Sequence, residues 1–175
     1  MTSKAIMDFA REIHALAVEK GWWRDLRPSE DTFVMIHCEL SEAVDEYRNG
    51  HGLTEIYYGE GEKPDGVPIE LADAVIRLLD AAIQYGDYGD LKPVKSNEAF
   101  ETFGCFIERC HEDVVCAKCG RQMFEAVGLF NDSYAVLIGR IEAWFESNGM
   151  DLWRVCRMKH EYNKTRPYRH GNKRM

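Results

Sequence analysis

Four carboxylates recur at a spacing that can do chemistry. Glu39 and Glu42 stand three residues apart in FVMIHCELSEAVDEY, residues 33–47, and Glu70 and Asp73 repeat the interval in IELADAVIRLLDAAI, residues 69–83. On a helix an i, i+3 pair shares a face, so each pair aims its oxygens in one direction. In the first segment Phe33, Ile36, Leu40, Ala43, Val44 and Tyr47 form an apolar stripe. Glu39, Glu42 and Glu46 flank that stripe instead of opposing it, which puts Glu39 at the edge of a core. The second segment is apolar almost all round, the mark of a buried helix, yet Glu70, Asp73 and Asp80 share one of its faces.

Buried carboxylates are costly unless something neutralises them. Two facing helices that each bring such a pair would build an oxygen-rich pocket for a hard divalent cation, with Mg²⁺ the first choice. Ordinary helix surface, or pairing with Arg48 and Arg77, is the competing account of either pair taken alone. No Gly-x-Ser-x-Gly nucleophile turn and no glycine-rich phosphate loop occurs in the chain. Chemistry at this pocket needs neither, because a bound metal ion acidifies water and a carboxylate can take the proton.

The elements that must position these acids are helices. A first helix is expected from a Ser3 cap to about Lys20, with Ile6, Phe9, Ile13, Leu16 and Ala17 inward and Gly21 ending it. Of the adjacent Trp22 and Trp23, one is expected to close the core and the other to stack on a planar ligand, with simple packing of both as the competing account. Arg27-Pro28-Ser29-Glu30-Asp31 starts the first acidic helix, and Asn49-Gly50 stops it. Residues 50–68 read as a loop or short hairpin, and the second acidic helix spans about 68–85 before GDYGD breaks it. Further helices are expected over 98–115, over 124–147 with Phe124, Val127 and Phe130 opening its stripe, and over 151–163. No strand-period run appears, so the class is all-α and the chain one domain.

At 175 residues and 45% hydrophobic composition the chain can bury a sizeable core. No segment reaches the roughly 18 apolar residues of a membrane span, and the amino terminus lacks a signal-type apolar run. A cytoplasmic protein with reduced thiols is the expectation. Cys105, Cys110, Cys116 and Cys119, with His111 among them, resemble only half a zinc knuckle, and core residues and exposed thiols compete with that account. The net charge of −8 is unevenly placed: from residue 154 onward eight Lys/Arg face Glu161 alone, a balance of +7 that leaves −15 on the preceding 153 residues. Such an acidic body repels nucleic acid but suits a small anion held between a cation and the tail. The tail KHEYNKTRPYRHGNKR, residues 159–174, spaces its bases with Asn, Tyr, Pro and Gly, as a segment that folds over an anion would.

ELSEA at residues 39–43, ELADAVIRLLD at 70–80 and this tail together resemble the MazG-like branch of the all-α nucleoside triphosphate pyrophosphatases. The resemblance implies a helical bundle, assembly as a homodimer or higher homo-oligomer, and Mg²⁺-dependent hydrolysis of a (d)NTP to the monophosphate and pyrophosphate. It implies Glu39, Glu42, Glu70 and Asp73 as metal ligands and catalytic residues. Lys159, Asn163, Arg166 and Lys173, with Trp22, would then hold the nucleotide. Residues 86–150 exceed the connection such a core requires and form an extended helical insertion. The rival reading is a non-catalytic helical module, stabilised by a cation, whose basic tail docks a partner or nucleic acid.

Overall fold

The helix with the broadest apolar surface becomes the centre. The computed structural model describes residues 1–25, 28–86, 91–127 and 133–172, and the side chains of all of these except 121–127 and 172. Its helices are α1 (Ser3–Glu19), α2 (Ser29–Arg48), α3 (Val67–Tyr85), α4 (Phe103–Val127), α5 (Ser133–Ser147), α6 (Leu152–Thr165) and the short α7 (Arg169–Asn172). One two-stranded antiparallel hairpin, β1 (Tyr57–Tyr58) and β2 (Pro64–Asp65), accompanies them, so the fold is all-α. Among the described residues no helix is long and apolar enough to cross a membrane.

α3 packs against α1, α2, α5 and α6, while α4 lies outside, against α2 and α5. The reason is in its sequence. Thirteen of its residues are buried, and those left partly open include Asp73, Arg77 and Asp80. These recur at i, i+4 and i+7, which makes one charged stripe on an otherwise apolar cylinder. Gly66, at φ 117°, turns the chain out of the hairpin beneath the backbone of Glu55, where a side chain would collide. Pro68 follows in the first turn, where its missing N–H costs nothing, and Gly86 closes α3 in the left-handed conformation.

α2 presents Phe33, Ile36, Leu40 and Ala43 to the core and leaves Tyr47 half exposed. Burying a side chain such as Phe33 contributes about 1.5–3 kcal/mol. α1 is capped by Thr2, whose hydroxyl accepts from the Ala5 amide at 3.3 Å. Ser3, expected in that role, instead donates to the Leu91 carbonyl at 3.0 Å and ties down the segment after α3.

The stretch 86–150 departs from expectation in its boundaries. α4 starts at Phe103, where Thr102 accepts from the Cys105 amide at 3.1 Å, and runs without a break through Gly120 to Val127. Phe124 and Val127 therefore end α4 instead of opening the next helix, and Phe130 lies outside the described residues, as do 87–90 of the GDYGD break. A single glycine costs a helix roughly 1 kcal/mol, too little to stop one whose preceding turns are packed through Phe106, Cys110, Val114 and Ala117. Phe106 and Val114 of α4 and Leu137, Ile138, Ile141 and Phe145 of α5 enter the same core as α1–α3. Residues 91–99 cross α5 closely: the Val94 amide donates to the Ala135 carbonyl at 2.9 Å, and a Cβ at Gly139 would overlap the Val94 carbonyl.

Candidate functional site

Carboxylate oxygens of Glu39, Glu70 and Asp73 all lie within 4.8 Å of one another. α2 supplies the first and α3 the other two, because each helix turns its acid-bearing edge toward the other. Glu39 and Glu70 are each 4% exposed. An octahedral ion with oxygens at about 2.1 Å spaces them by about 2.9–4.2 Å, so small rotamer changes suffice to close on it. Glu42 is exposed at the rim and outside this set, though its charge still raises the proton affinity of both buried glutamates.

The three acids differ in how they are balanced. Glu39 accepts from Arg77 Nε at 2.5 Å. Burial nevertheless holds its carboxyl above the ordinary range, with Arg77 opposing. Asp73 is paired at 2.8 Å with the ammonium of Lys159, which is 2% exposed. Burial would lower the Lys159 pKa, but the charges of Asp73 and Glu70 outweigh it and raise the group. Glu70 has no hydrogen bond or ion pair among the described residues. Burial first, then the Asp73 charge, push its carboxyl up to about 8, with Lys159 opposing. A buried, unpaired carboxylate beside two others is a donor set short of positive charge, which fits a hard divalent cation.

Beside the acids opens a cleft. Asp73 and Arg77 belong to its wall, and so do Asp80, Asn163, Arg166 and His160. Its apolar side is Ile13, Leu16, Ala17 and Ile76, and Trp22 and His170 meet edge to face at 5.1 Å along it. Trp23 turns the other way and donates to Asp80 at 3.0 Å, and His14 Nδ1 lies 2.7 Å from the same carboxylate. Both tryptophans are part-buried and neither is among the buried core residues, so neither closes the core as expected of one of them; Asp80 anchors Trp23 and His14.

Arg166 has no carboxylate within ion-pair distance among the described residues. Burial lowers its pKa, and its charge is felt by Asp73 and Glu39 across the cleft. The side-chain carbonyl oxygen of Asn163 is buried without a hydrogen-bond partner. Lys159, grouped with these residues on the sequence, is instead committed to Asp73. Lys173 lies outside the described residues. Cys110 faces the core while Cys105, Cys116 and Cys119 are exposed, and among the described residues they join no cluster of three ligands.

Two contributors were not singled out in the sequence. Arg77 appeared only as a counter-ion, yet it links the acids to the cleft; its i+4 spacing from Asp73 was the available signal. His170 stands in the sequence only as one residue of the spaced basic tail. The chain matches no protein-family model, no curated protein and no solved structure.

Proposed function

We propose that this protein is a Mg²⁺-dependent nucleoside triphosphate pyrophosphohydrolase, converting a (d)NTP and water to the monophosphate and pyrophosphate. One observation carries the reading: Asp73 belongs both to the acid cluster and to a cleft whose far side is apolar and aromatic. A nucleotide has the same two halves, a charged phosphate chain and a planar base. The resemblance of both acid motifs and the tail to the MazG-like family supports it.

Glu39, Glu70 and Asp73 would hold the cation, which when bound supplies charge neutralisation at the phosphoryl oxygens and an acidified water. Glu42, exposed and unpaired among the described residues, takes the proton of the attacking water and passes it to solvent. Arg166 meets the phosphates as an unpaired, half-buried cation. Asn163 offers its buried amide oxygen to a donor on the nucleotide, and Trp22 gives the base a ring to stack on. Lys159 serves indirectly, by holding Asp73 in place.

By the same resemblance the protein acts as a homodimer or higher homo-oligomer. Val34, Tyr47 and Val115, each close to half exposed on α2 and α4, give apolar surface for that contact. A nucleotide substrate and six free cysteines fit a cytoplasmic protein.

A panel of NTPs and dNTPs with Mg²⁺ in ¹⁸O-labelled water tests the reading. Pyrophosphate is the expected product, with the label in the monophosphate; orthophosphate release would contradict attack at the α-phosphorus. The ion pairs Arg77–Glu39 and Lys159–Asp73 favour a second reading, a cation-stabilised binding module, because they already offset part of the acid charge. That module would bind its partner in a salt-sensitive way and release no pyrophosphate.

A further inference from the structure

One side chain ties the carboxyl-terminal turn to the opposite rim of the cleft. Arg169 donates from Nε to the Gly21 carbonyl at 3.0 Å and from Nη2 to Asp25 at 2.5 Å. Its backbone amide donates to the Lys20 carbonyl at 3.0 Å. Lys20 returns the tie through Nζ to the Lys164 carbonyl at 2.8 Å. All of these acceptors but the last lie on the connection between α1 and α2. Gly21 is fitted to this contact twice over: its φ is +81°, and a Cβ there would overlap the ring of Tyr168.

The backbone of the turn also needs holding. Arg169 and His170 have φ 43° and 48°, in the left-handed region that side chains other than glycine rarely adopt. Conformations of that kind persist where surrounding contacts over-determine them. Here Arg169 supplies three of those contacts, beside the Tyr168 ring that lies over Gly21 and the hydrogen bond between Tyr168 and Arg24. Their result appears in the cleft, because His170 follows Arg169 and Trp22 follows Gly21, so the clasp brings the two rings together at 5.1 Å. Arg166 stands three residues before Arg169 on the same wall, and Arg169 itself does not line the cleft.

We infer that Arg169 is a positioning residue of the nucleotide site: by clasping the tail to Lys20, Gly21 and Asp25 it fixes Trp22, His170 and Arg166 as one preorganised wall. The inference rests on the nucleotide reading above. A wall already in place spares the ligand the cost of ordering it, so Arg169 governs binding. The acids that carry the chemical step stand on α2 and α3 and do not depend on it.

Titration of the full chain with the α,β-imido analogues of ATP, GTP, CTP and UTP, in Mg²⁺, reads the effect without turnover. Arg169→Ala should weaken the tightest analogue roughly tenfold and raise KM by the same factor, with kcat within about twofold. Arg169→Lys keeps a charge for Asp25 but not the planar fork, so it should recover only part. Should Arg169→Ala unfold, Asp25→Asn removes one anchor alone and should weaken binding in the same direction by about threefold. Equal analogue affinity in wild type and variants, or a fall in kcat at constant KM, overturns the inference. Wild-type protein that binds an analogue yet releases no pyrophosphate contradicts the hydrolase reading, and the variants then still decide the clasp. Wild-type protein that binds none of them refutes both.

Discussion

The ammonium of Lys159 sits 2.8 Å from Oδ2 of Asp73, with 2% of the lysine side chain exposed. On the proposed reading, in which Asp73 helps hold a cation, the Lys159 ammonium offsets part of the acid charge while no cation is bound. Lys159→Met should therefore cost on the order of 3 kcal/mol in stability without divalent cations, since it strands a buried charge. Mg²⁺ should restore a good share of that loss. Urea unfolding in EDTA and in Mg²⁺ measures both, and a loss equal in the two conditions would contradict the coupling.

Glu70 makes the cation-free protein pH-dependent. Its carboxyl titrates near 8 folded against an ordinary 4.5. The folded state thus holds a proton that the unfolded chain gives up, and its contribution is complete below about 4.5 and lost as pH rises through about 8. Stability in EDTA should fall across that window, and Glu70→Gln should flatten the fall. Mg²⁺ binding at pH 7 should release protons, visible by calorimetry in buffers of different ionisation enthalpy.

His37 of α2 and His111 of α4 have Nδ1 atoms 2.7 Å apart, ring centroids at 5.0 Å and planes 19° from parallel. The centroid distance is close to the nitrogen separation plus a ring radius on each side, so the rings meet edge to edge and share one proton. Burial lowers both pKa values, and His37 is lowered further by His111 and Lys118. Depressed bases contribute stability above about 6.5 that is lost as pH falls through their folded values. NMR titration should find both below 6.5, and His111→Asn should bring His37 upward.

Arg166 lines the cleft with no carboxylate partner among the described residues. Arg166→Ala should cost on the order of 2 kcal/mol in kcat/KM, the scale of a charge-assisted phosphate contact. Arg166→Lys should recover part of it, because an ammonium lacks the two-pronged grip. Unchanged kcat/KM in the alanine variant would remove Arg166 from the site.

The acid cluster was legible in the sequence because helical periodicity fixes which residues share a face, and apolar neighbours mark that face as buried. Glu39, Glu70 and Asp73 meet for that reason. Glu42 obeys the same spacing but lies one step farther round α2, where the neighbouring helix no longer covers it. Lys159 was legible as a cation and not as a buried one, since its depth depends on how α6 packs on α3. The end of α4 is not legible because nothing local marks it; Gly120 costs too little to stop a helix whose preceding turns are packed. The Arg169 clasp joins residues far apart in the chain, and one arginine in a basic tail gives no sign of which carbonyl it will meet.

Glu70→Gln tests the central claim most directly. Glu70 has no partner among the described residues to strand, and glutamine keeps its shape while removing the charge a cation needs. Pyrophosphate release from the preferred nucleotide should fall at least about a hundredfold in Mg²⁺, while thermal stability in EDTA at pH 8 stays equal or rises. Wild-type turnover in Glu70→Gln, or loss of turnover accompanied by unfolding, would contradict it.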